Sequence, residues 1–195
     1  MATLMENGLN GVEFPLIRKT LAGKILKLRP VGATDVEQSL AFVRGLSYGA
    51  RYFRFGRSDI RFPVEEVAWV CHETAKSERH FMVLAEQDDA EIQIASARYH
   101  IDPDVFSGEL AIVVSESWQR TGVADWLMQT LIESARGIGL KTLIARTYGS
   151  NVRMRKFAQK HGFQRDASCE GEAIHELTLN LGEGLPLPEP VPSRK

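Results

Sequence analysis

A short apolar run followed by a helical pattern is the most informative stretch of this chain. Leu110 to Val114 is apolar throughout, rich in β-branched residues, and followed by turn-forming and capping residues at 115–117. This pattern predicts a strand that is buried on both faces. Apolar residues then recur at helical spacing, which predicts a helix from about Thr121 to about Arg136.

The connection between this strand and this helix is a candidate site for an anion. The first N–H groups of a helix have no intrahelical partner and carry the positive end of the helix dipole, so they bind phosphate readily. Gly122 and Ala124 are small at positions where an approaching anion would need exposed backbone. The same spacing also fits an ordinary strand-to-helix connection with a chance glycine, because short glycine motifs are common.

Further strands and helices are predicted before this unit. A weak alternation stops at Pro30, as expected for a strand, and Thr34 with Asp35 supplies the start of a helix. The predicted elements are an irregular arm over residues 1–23, a strand from Lys24 to Arg29, a helix from Thr34, a helix opened by Pro63, and an antiparallel hairpin of Phe81–Glu86 and Glu91–Ile101.

The pattern after the central helix predicts the rest of one domain, which spans residues 24–181. Asn151 is a favourable N-cap and Gly162 a favourable terminator, so a helix is expected between them. Alternate prolines near the C-terminus predict an extended and mobile segment. The elements are a strand from Thr142 to Ala145, this helix, a strand from Ala173 to Leu181, and a proline-rich tail over residues 182–195.

Cations and aromatic residues alternate from Arg51 to Phe55. The favoured interpretation is a helix or turn whose aromatic side chains enter the core. The alternative is a basic rim for an anionic ligand.

Composition narrows the possible partners. A chain of 195 residues with 44% apolar content favours one domain with a sizeable core. The formal net charge is −1, so we expect neither nucleic acid nor an anionic membrane as a partner. The chain shows no membrane-span or signal-peptide pattern, and Cys71 and Cys169 are too few for a disulfide framework or a four-thiolate metal site. We therefore expect a cytoplasmic protein without a metal, either a monomer or a homodimer.

The order of these pieces resembles the Gcn5-related N-acetyltransferase (GNAT) family. The resemblance covers Lys24 to Leu181, and its sharpest part is Glu109 to Phe163, with Gln-x-x-Gly-x-Ala at a helix start and an Asn-led helix that ends in Gly-Phe. It implies an α/β (α+β) fold with a mixed, mostly antiparallel central sheet, splayed central strands and flanking helices. Residues 24–55 look like the acetyltransferase domains of bacterial protein lysine acetyltransferases.

The resemblance implies that acetyl-CoA binds in a wedge between the central strand and the strand Thr142–Ala145. Its pantetheine arm would pair with the backbone of Ile112, Val113 and Val114, as an added strand would. Asn151 matches the family asparagine that contacts the cofactor, although it is nearly as well explained as a helix cap. The pyrophosphate would sit on the N–H groups of Gln119, Arg120, Thr121, Gly122, Val123, Ala124 and Asp125.

Amine acetylation requires a neutral amine and a polarised thioester, so a carboxylate is needed to accept a proton directly or through water. Glu109 stands where the resembling lysine acetyltransferases carry their catalytic glutamate, although it could also be a solvated acid at a strand end. Glu116 is a weaker candidate. A backbone N–H near Val113 would polarise the thioester carbonyl. Ala158 stands where many members carry a tyrosine as general acid, which leaves that role unassigned.

Three functions remain open at this stage. The first is an acetyl-CoA-dependent N-acetyltransferase that acts on a protein lysine, with Glu109 as base. The second takes a small amine or an amino acid, with Arg51, Arg54 and Arg57 holding its carboxylate. The third is a non-catalytic acyl-CoA-binding regulatory module, which Ala158 suggests.

Overall fold

The computed structural model describes residues 8–9, 12–20, 23–56, 63–72, 77–102, 106–165 and 173–182. Across these ranges the chain forms a large sheet with helices on both faces. The helices are α1 (Val36–Gly45), α2 (Tyr48–Phe55), α3 (Val64–His72), α4 (Val123–Gly137) and α5 (Val152–Lys160). The strands are β1 (Gly8–Leu9), β2 (Val12–Glu13), β3 (Leu16–Lys19), β4 (Ile25–Pro30), β5 (Glu78–Gln87), β6 (Ala90–Asp102), β7 (Ser107–Val114), β8 (Thr142–Tyr148), β9 (Gln164–Arg165) and β10 (Ile174–Asn180).

The main sheet has the strand order β3-β4-β5-β6-β7-β8-β10-β9, and β1 and β2 form a separate pair. Neighbouring strands of the main sheet are antiparallel except β7 and β8, which are parallel. A parallel pair needs a crossover, and α4 supplies it. The predicted fold class, a mixed and mostly antiparallel sheet flanked by helices, is therefore confirmed.

The two central strands separate along their length, as the resemblance implied. β7 pairs with β6 from Ser107 to Val114, along its whole length. On its other side, β7 pairs with β8 only over Ser107–Leu110, opposite Thr142–Ala145. Beyond Leu110 the two strands part, and the last four residues of β7 have a neighbouring strand on one side alone.

Alternation along β7 places the helices on opposite faces of the sheet. Leu110 and Val114 belong to one buried cluster with Leu127 and Leu131 of α4. Val113 belongs to a second cluster, with residues of α1 and α3. Successive side chains of a strand point to opposite faces, so α4 covers one face of the sheet and α1 with α3 covers the other. The prediction that β7 is buried on both faces is confirmed.

Several predicted boundaries differ from the structure. α4 begins at Val123 rather than near Thr121, because residues 119–122 form the turn that precedes it. β8 extends beyond Ala145 to Tyr148. The N-terminal arm contains a short strand, β3, which pairs with β4 at the edge of the sheet. The predicted tail after Gly182, together with Arg57 and Cys169, lies outside the described residues.

The prediction that the aromatic residues of α2 enter the core is wrong for Tyr52 and Phe53, which are exposed. Arg51 is the buried side chain of this helix. It donates hydrogen bonds to the backbone carbonyls of Leu46 and Arg44 at the end of α1. Carbonyls at a helix C-terminus lack intrahelical donors, so this cation completes α1 and is not available to bind an acceptor.

Candidate active site

The unpaired part of β7 presents backbone groups to the gap beside β8. The Ser115 N–H donates to the Ile94 carbonyl at 2.9 Å, on the β6 side. Since successive residues of a strand direct their backbone groups to alternate sides, Val113 also faces β6, whereas Ile112 and Val114 face the gap. The predicted use of the Val113 N–H toward a ligand is therefore corrected, because the antiparallel ladder uses it. The backbone groups of Ile112 and Val114 are free of β6, and their contact with a ligand stays a prediction.

Gln119 closes the far end of this gap. Its Nε2 donates to the carbonyl of Val114 at 3.2 Å, and its Oε1 accepts a hydrogen bond from Arg153 of α5. The side chain thus links the end of β7 to α5 across the opening. Arg153 adds a cation at this position that the sequence analysis missed, since only the folded chain brings residues 119 and 153 together.

The turn before α4 leaves a row of N–H groups without protein acceptors. The Gln119 N–H donates to Glu116 at 3.2 Å, which corrects its predicted role as a backbone donor to a ligand. The Trp126 N–H donates to Gly122 at 3.0 Å. In the described part of the chain, none of the six N–H groups from Arg120 to Asp125 donates to a protein acceptor.

Backbone conformation makes this row concave. Arg120 has a φ of 63° and Gly122 a φ of 88°. Left-handed residues that alternate with right-handed ones turn successive N–H groups inward, which forms a nest for an anion. A Cβ added at Gly122 would meet nothing within 4 Å, so the space above the turn is open.

Two side chains of the turn have structural partners. The hydroxyl of Thr121 donates to the Trp118 carbonyl at 2.6 Å, which holds the turn closed. Asp125 accepts hydrogen bonds from Lys160 at 2.6 Å and His161 at 2.9 Å, at the end of α5. Burial alone would raise the pKa of Asp125, but these partners lower it below its ordinary value. Its carboxylate therefore stabilises the contact of α4 with α5, and only its N–H faces the open turn.

Asn151 is a helix cap in this structure. Its Oδ1 accepts a hydrogen bond from the Met154 N–H at 3.1 Å, at the start of α5. Its Nδ2 has no partner among the described residues. Capping and contact with a ligand are therefore compatible, as predicted.

Glu109 lies in the paired part of β7, close to where the strands separate. Its side chain is 48% exposed and forms an ion pair with Arg146 of β8, which also pairs with Glu176 of β10 at 2.9 Å. Burial alone would lower the pKa of Arg146, but the two carboxylates raise it above its ordinary value. A recess of about 200 Å³ beside this pair is lined by His100, Asp102, Ser107, Glu109, Ile144 and Arg146.

Arg146 was missed by the sequence analysis. A cation directly after the apolar run Leu143–Ala145 was the available signal, because a charge in a central strand needs a partner. Glu116, the weaker candidate for a base, accepts a hydrogen bond from the hydroxyl of Ser47 and so ties the turn to the start of α2.

Ala158 is fully buried in α5, and its methyl side chain cannot act as a general acid. Tyr148 lies at the end of β8 and stacks on Tyr52 of α2, with ring centroids 5.1 Å apart and an interplanar angle of 14°. This stack joins α2 to the separated part of β8. Among the described residues, no helix is long and apolar enough to span a membrane, and no group of three or more potential side-chain ligands could hold a metal ion.

Residues 48–163 match the model of the acetyltransferase (GNAT) family, which is more than half of the chain. The chain belongs to the GNAT family. It is accordingly an acetyl-CoA-dependent N-acetyltransferase whose acceptors are amines. The matched region contains α2, the separated strands β7 and β8, the turn before α4 and the whole of α5.

Two relatives and one solved structure support this membership in the GNAT family. Acetyltransferase PA5475 of Pseudomonas aeruginosa is 26% identical over 162 residues, which cover 80% of this chain and 86% of that protein. Acetyltransferase Pat of Mycolicibacterium smegmatis is 28% identical over 149 residues, which cover 76% of this chain but only 44% of Pat. The crystal structure of the GNAT domain of S. lividans PAT has the same fold, with a TM-score of 0.74 at 21% identity over 85% of this chain and 96% of that one.

Proposed function

We propose that this protein transfers the acetyl group of acetyl-CoA directly to the side-chain amine of a protein lysine. The observation that carries the proposal is the separation of β7 from β8 beside six unpartnered N–H groups. A gap with a free strand edge suits an extended amide-containing arm, and the nest next to it suits a pyrophosphate. Both features occur together in the order that acetyl-CoA requires.

The residues present fit acetyl-CoA. Ile112 and Val114 offer backbone groups to the pantetheine amides, and the N–H groups from Arg120 to Asp125 offer donors to the pyrophosphate. Arg153 adds positive charge near the same turn, and Asn151 has a free amide donor. When bound, acetyl-CoA supplies the acetyl group as a thioester.

Ile112 is the proposed donor that polarises the thioester carbonyl. Its N–H faces the gap, whereas that of Val113 faces β6. A backbone N–H is held rigidly by the strand, so it can stabilise developing negative charge without rearrangement.

Glu109 is the proposed general base. A strand rises by roughly 3.3 Å per residue, which puts its backbone roughly 10 Å from that of Ile112 and favours proton transfer through a water molecule. Arg146 must share or release the carboxylate while the carboxylate accepts a proton from the amine. We therefore assign Arg146 a positioning role, in which it holds Glu109 near the opening.

Two observations support a protein lysine as the acceptor. Residues 24–55 resemble the corresponding part of bacterial protein lysine acetyltransferases. Tyr48 and Phe53 of α2 are 69% and 40% exposed, and this helix lies beside the gap through the Tyr52–Tyr148 stack. A polypeptide acceptor is bound more readily by an exposed aromatic surface at the mouth of a site than by an enclosed pocket.

The test is a thiol-release assay with acetyl-CoA and three acceptor sets: lysine-containing peptides, the same peptides with arginine at each lysine, and free amines. We expect release with the lysine peptides alone or fastest with them. Faster release with free amines would reassign the acceptor to a small molecule. Tight acetyl-CoA binding in calorimetry, without thiol release over every set, would favour a non-catalytic module and overturn the proposal.

A further inference from the structure

A second recess lies on the face of the sheet covered by α1 and α3, away from α4. Its volume is about 650 Å³, which is within the range of small-molecule sites. Its walls combine apolar and polar side chains. The apolar lining includes Phe42, Phe55 and Val113, and the polar lining includes Arg54, His80 and Gln93.

Two cations of the lining, Arg54 and Arg98, lie close to one carboxylate, that of Glu78. Arg98 donates to both carboxylate oxygens of Glu78, each at 3.1 Å. Arg54 of α2 has no hydrogen bond or ion pair among the described residues, although its guanidinium lies 4.8 Å from the ring centroid of Phe55. Two guanidinium groups thus share one carboxylate.

The pKa of Arg54 reports the same imbalance. Burial and the nearby Arg98 lower it to about 9, and the attraction of Glu78 does not compensate. Glu65 and Glu66 line the recess at the exposed start of α3, but the charges that act on Arg54 are those of Arg98 and Glu78. Arg54 is partly buried and has no counter-ion of its own among the described residues, so an anion that enters the recess would stabilise it.

Two further side chains of the lining, His80 and Gln93, each have one polar atom without a partner among the described residues. They are only 8% and 7% exposed. The Nε2 of His80 bonds the hydroxyl of Ser96 at 2.7 Å, and the unpartnered atoms are the Nδ1 of His80 and the Oε1 of Gln93. Burial lowers the pKa of His80 to about 3, so this ring is neutral at physiological pH. Leaving a buried polar atom without a partner destabilises the protein, and a ligand that pairs with the atom removes that cost.

We propose that this recess binds a small organic carboxylate with an apolar body, whose carboxylate pairs with Arg54. The aromatic walls formed by Phe42 and Phe55 favour a ring as the apolar part. Val113 lines the recess and precedes Val114, whose backbone faces the gap, so the site adjoins the reaction centre. A ligand that also carries an amine would be an acceptor, which rests on the acetyl transfer proposed for the adjoining gap, whereas one without an amine would be an effector.

The test is calorimetry on the full chain with three probes of similar shape. These are phenylalanine, 3-phenylpropanoate and 2-phenylethylamine, which carry both groups, the carboxylate alone and the amine alone. We expect the two carboxylates to bind and the amine to bind at least about tenfold more weakly, because only a carboxylate can form a charge-assisted hydrogen bond with Arg54. Equal binding of all three probes, or binding of none, would overturn the proposal.

Arg54→Gln provides the variant test. We expect it to weaken 3-phenylpropanoate binding at least about tenfold and Arg54→Lys to retain part of the affinity. Arg44→Gln is the matched control, since it removes the same charge from the exposed surface of α1 and leaves the recess unchanged. Unfolding curves check that each variant folds. Unchanged affinity in a folded Arg54→Gln variant would refute the site.

Thiol release separates the two roles. Release with phenylalanine, abolished in Arg54→Gln, would identify the recess as an acceptor site. Binding without release would identify an effector site, and peptide acetylation would then change when 3-phenylpropanoate is present. If no probe binds, the proposed carboxylate site is wrong, but the rate of peptide acetylation is still measurable on its own. The carboxylate site and the proposed function are therefore tested independently.

Discussion

The two faces of the sheet differ in what they hold. Under α4 lies a close-packed apolar cluster, and one of its buried polar contacts is the hydrogen bond of Tyr99 to Ser134 at 2.9 Å. Burial raises the pKa of Tyr99 to about 12, as expected in an apolar environment. On the opposite face lie the Arg98–Glu78 and Arg146–Glu109 ion pairs and the large recess.

This difference shows how one strand serves both stability and chemistry. Leu110 and Val114 of β7 contribute to the cluster under α4, and Glu109 and Val113 project to the opposite face. Because strand side chains alternate, the polar face can vary without disturbing the apolar one. We therefore expect the largest losses of stability from substitutions in the cluster under α4, and we expect catalysis to depend on the polar side chains of the other face.

Two leucine substitutions compare how much each face of the sheet contributes to the stability of the protein, and their expected effects are the largest. Leu131 of α4 is fully buried in the large cluster, whereas Leu40 of α1 belongs to the smaller one. We expect Leu131→Ala to lower the free energy of unfolding by about 3–5 kcal/mol and Leu40→Ala by about 2 kcal/mol, because Leu131 is completely buried in the larger cluster and Leu40 keeps 8% exposure in the smaller one. Urea unfolding measures both. Equal losses would break the comparison.

At the start of α4, Gly122→Glu should weaken acetyl-CoA binding at least about a hundredfold, which is about 2.7 kcal/mol. The new carboxylate would stand where the proposed pyrophosphate lies and repel it. The control is Gly122→Ala, which adds no charge. It introduces only the backbone strain of a residue with a side chain at a φ of 88°, which should lower the free energy of unfolding by about 1–2 kcal/mol. Calorimetry with acetyl-CoA compares the two variants. Similar affinities in both would exclude this turn as the pyrophosphate site.

Glu109→Gln tests the chemistry of the opposite face. We expect kcat to fall about a hundredfold, with little change in the KM for acetyl-CoA, because the amide cannot accept the proton. The matched control is Glu176→Gln, which removes the other carboxylate that pairs with Arg146. Steady-state rates over a range of pH give both parameters. A Glu109→Gln enzyme with normal turnover at every pH would remove this residue from the mechanism.

The smallest expected effect concerns acid stability on the same face. Asp35 accepts hydrogen bonds from Arg29 at 2.6 and 2.7 Å and from the Gly32 N–H at 2.7 Å. Burial alone would raise the pKa of Asp35, but these donors lower it below 3.8. A lowered folded-state pKa stabilises the protein above the unfolded value, and this contribution is lost as pH falls through the folded value.

Asp35→Asn should therefore cost about 1.5 kcal/mol at neutral pH. The difference from the wild-type protein should shrink as the pH falls below 3.8, the unfolded value. Urea unfolding at several pH values measures this trend. A difference that does not depend on pH would show that the carboxylate charge is not what stabilises the start of α1.

The central unit was predictable from sequence because its signals are local. The apolar run before residue 115, the small residues of the turn and the Asn151 cap each specify nearby backbone. Which N–H groups face the gap was not predictable, since that depends on pairing with β6. The sequence pattern therefore predicts the same role for Val113 as for Ile112, although their backbone groups face opposite sides of β7.

The partners of the charged side chains were also not predictable from local sequence patterns. Arg146 meets Glu109 only because β8 returns beside β7, and Arg54 meets Arg98 only because α2 packs over the sheet. The alternation of cations and aromatics in α2 predicted a helix but not its orientation. The helix buries Arg51, because the end of α1 needs donors, and exposes Tyr52 and Phe53.

The early separation of β7 from β8 gives the sheet an edge in its interior. At an outer strand, a row of unpaired backbone groups invites a strand from another molecule, and proteins usually protect such edges. Here the unpaired groups of Ile112 and Val114 lie between β7 and the diverging β8. The neighbouring strand thus shields this edge from other sheets and leaves it open to a single extended ligand.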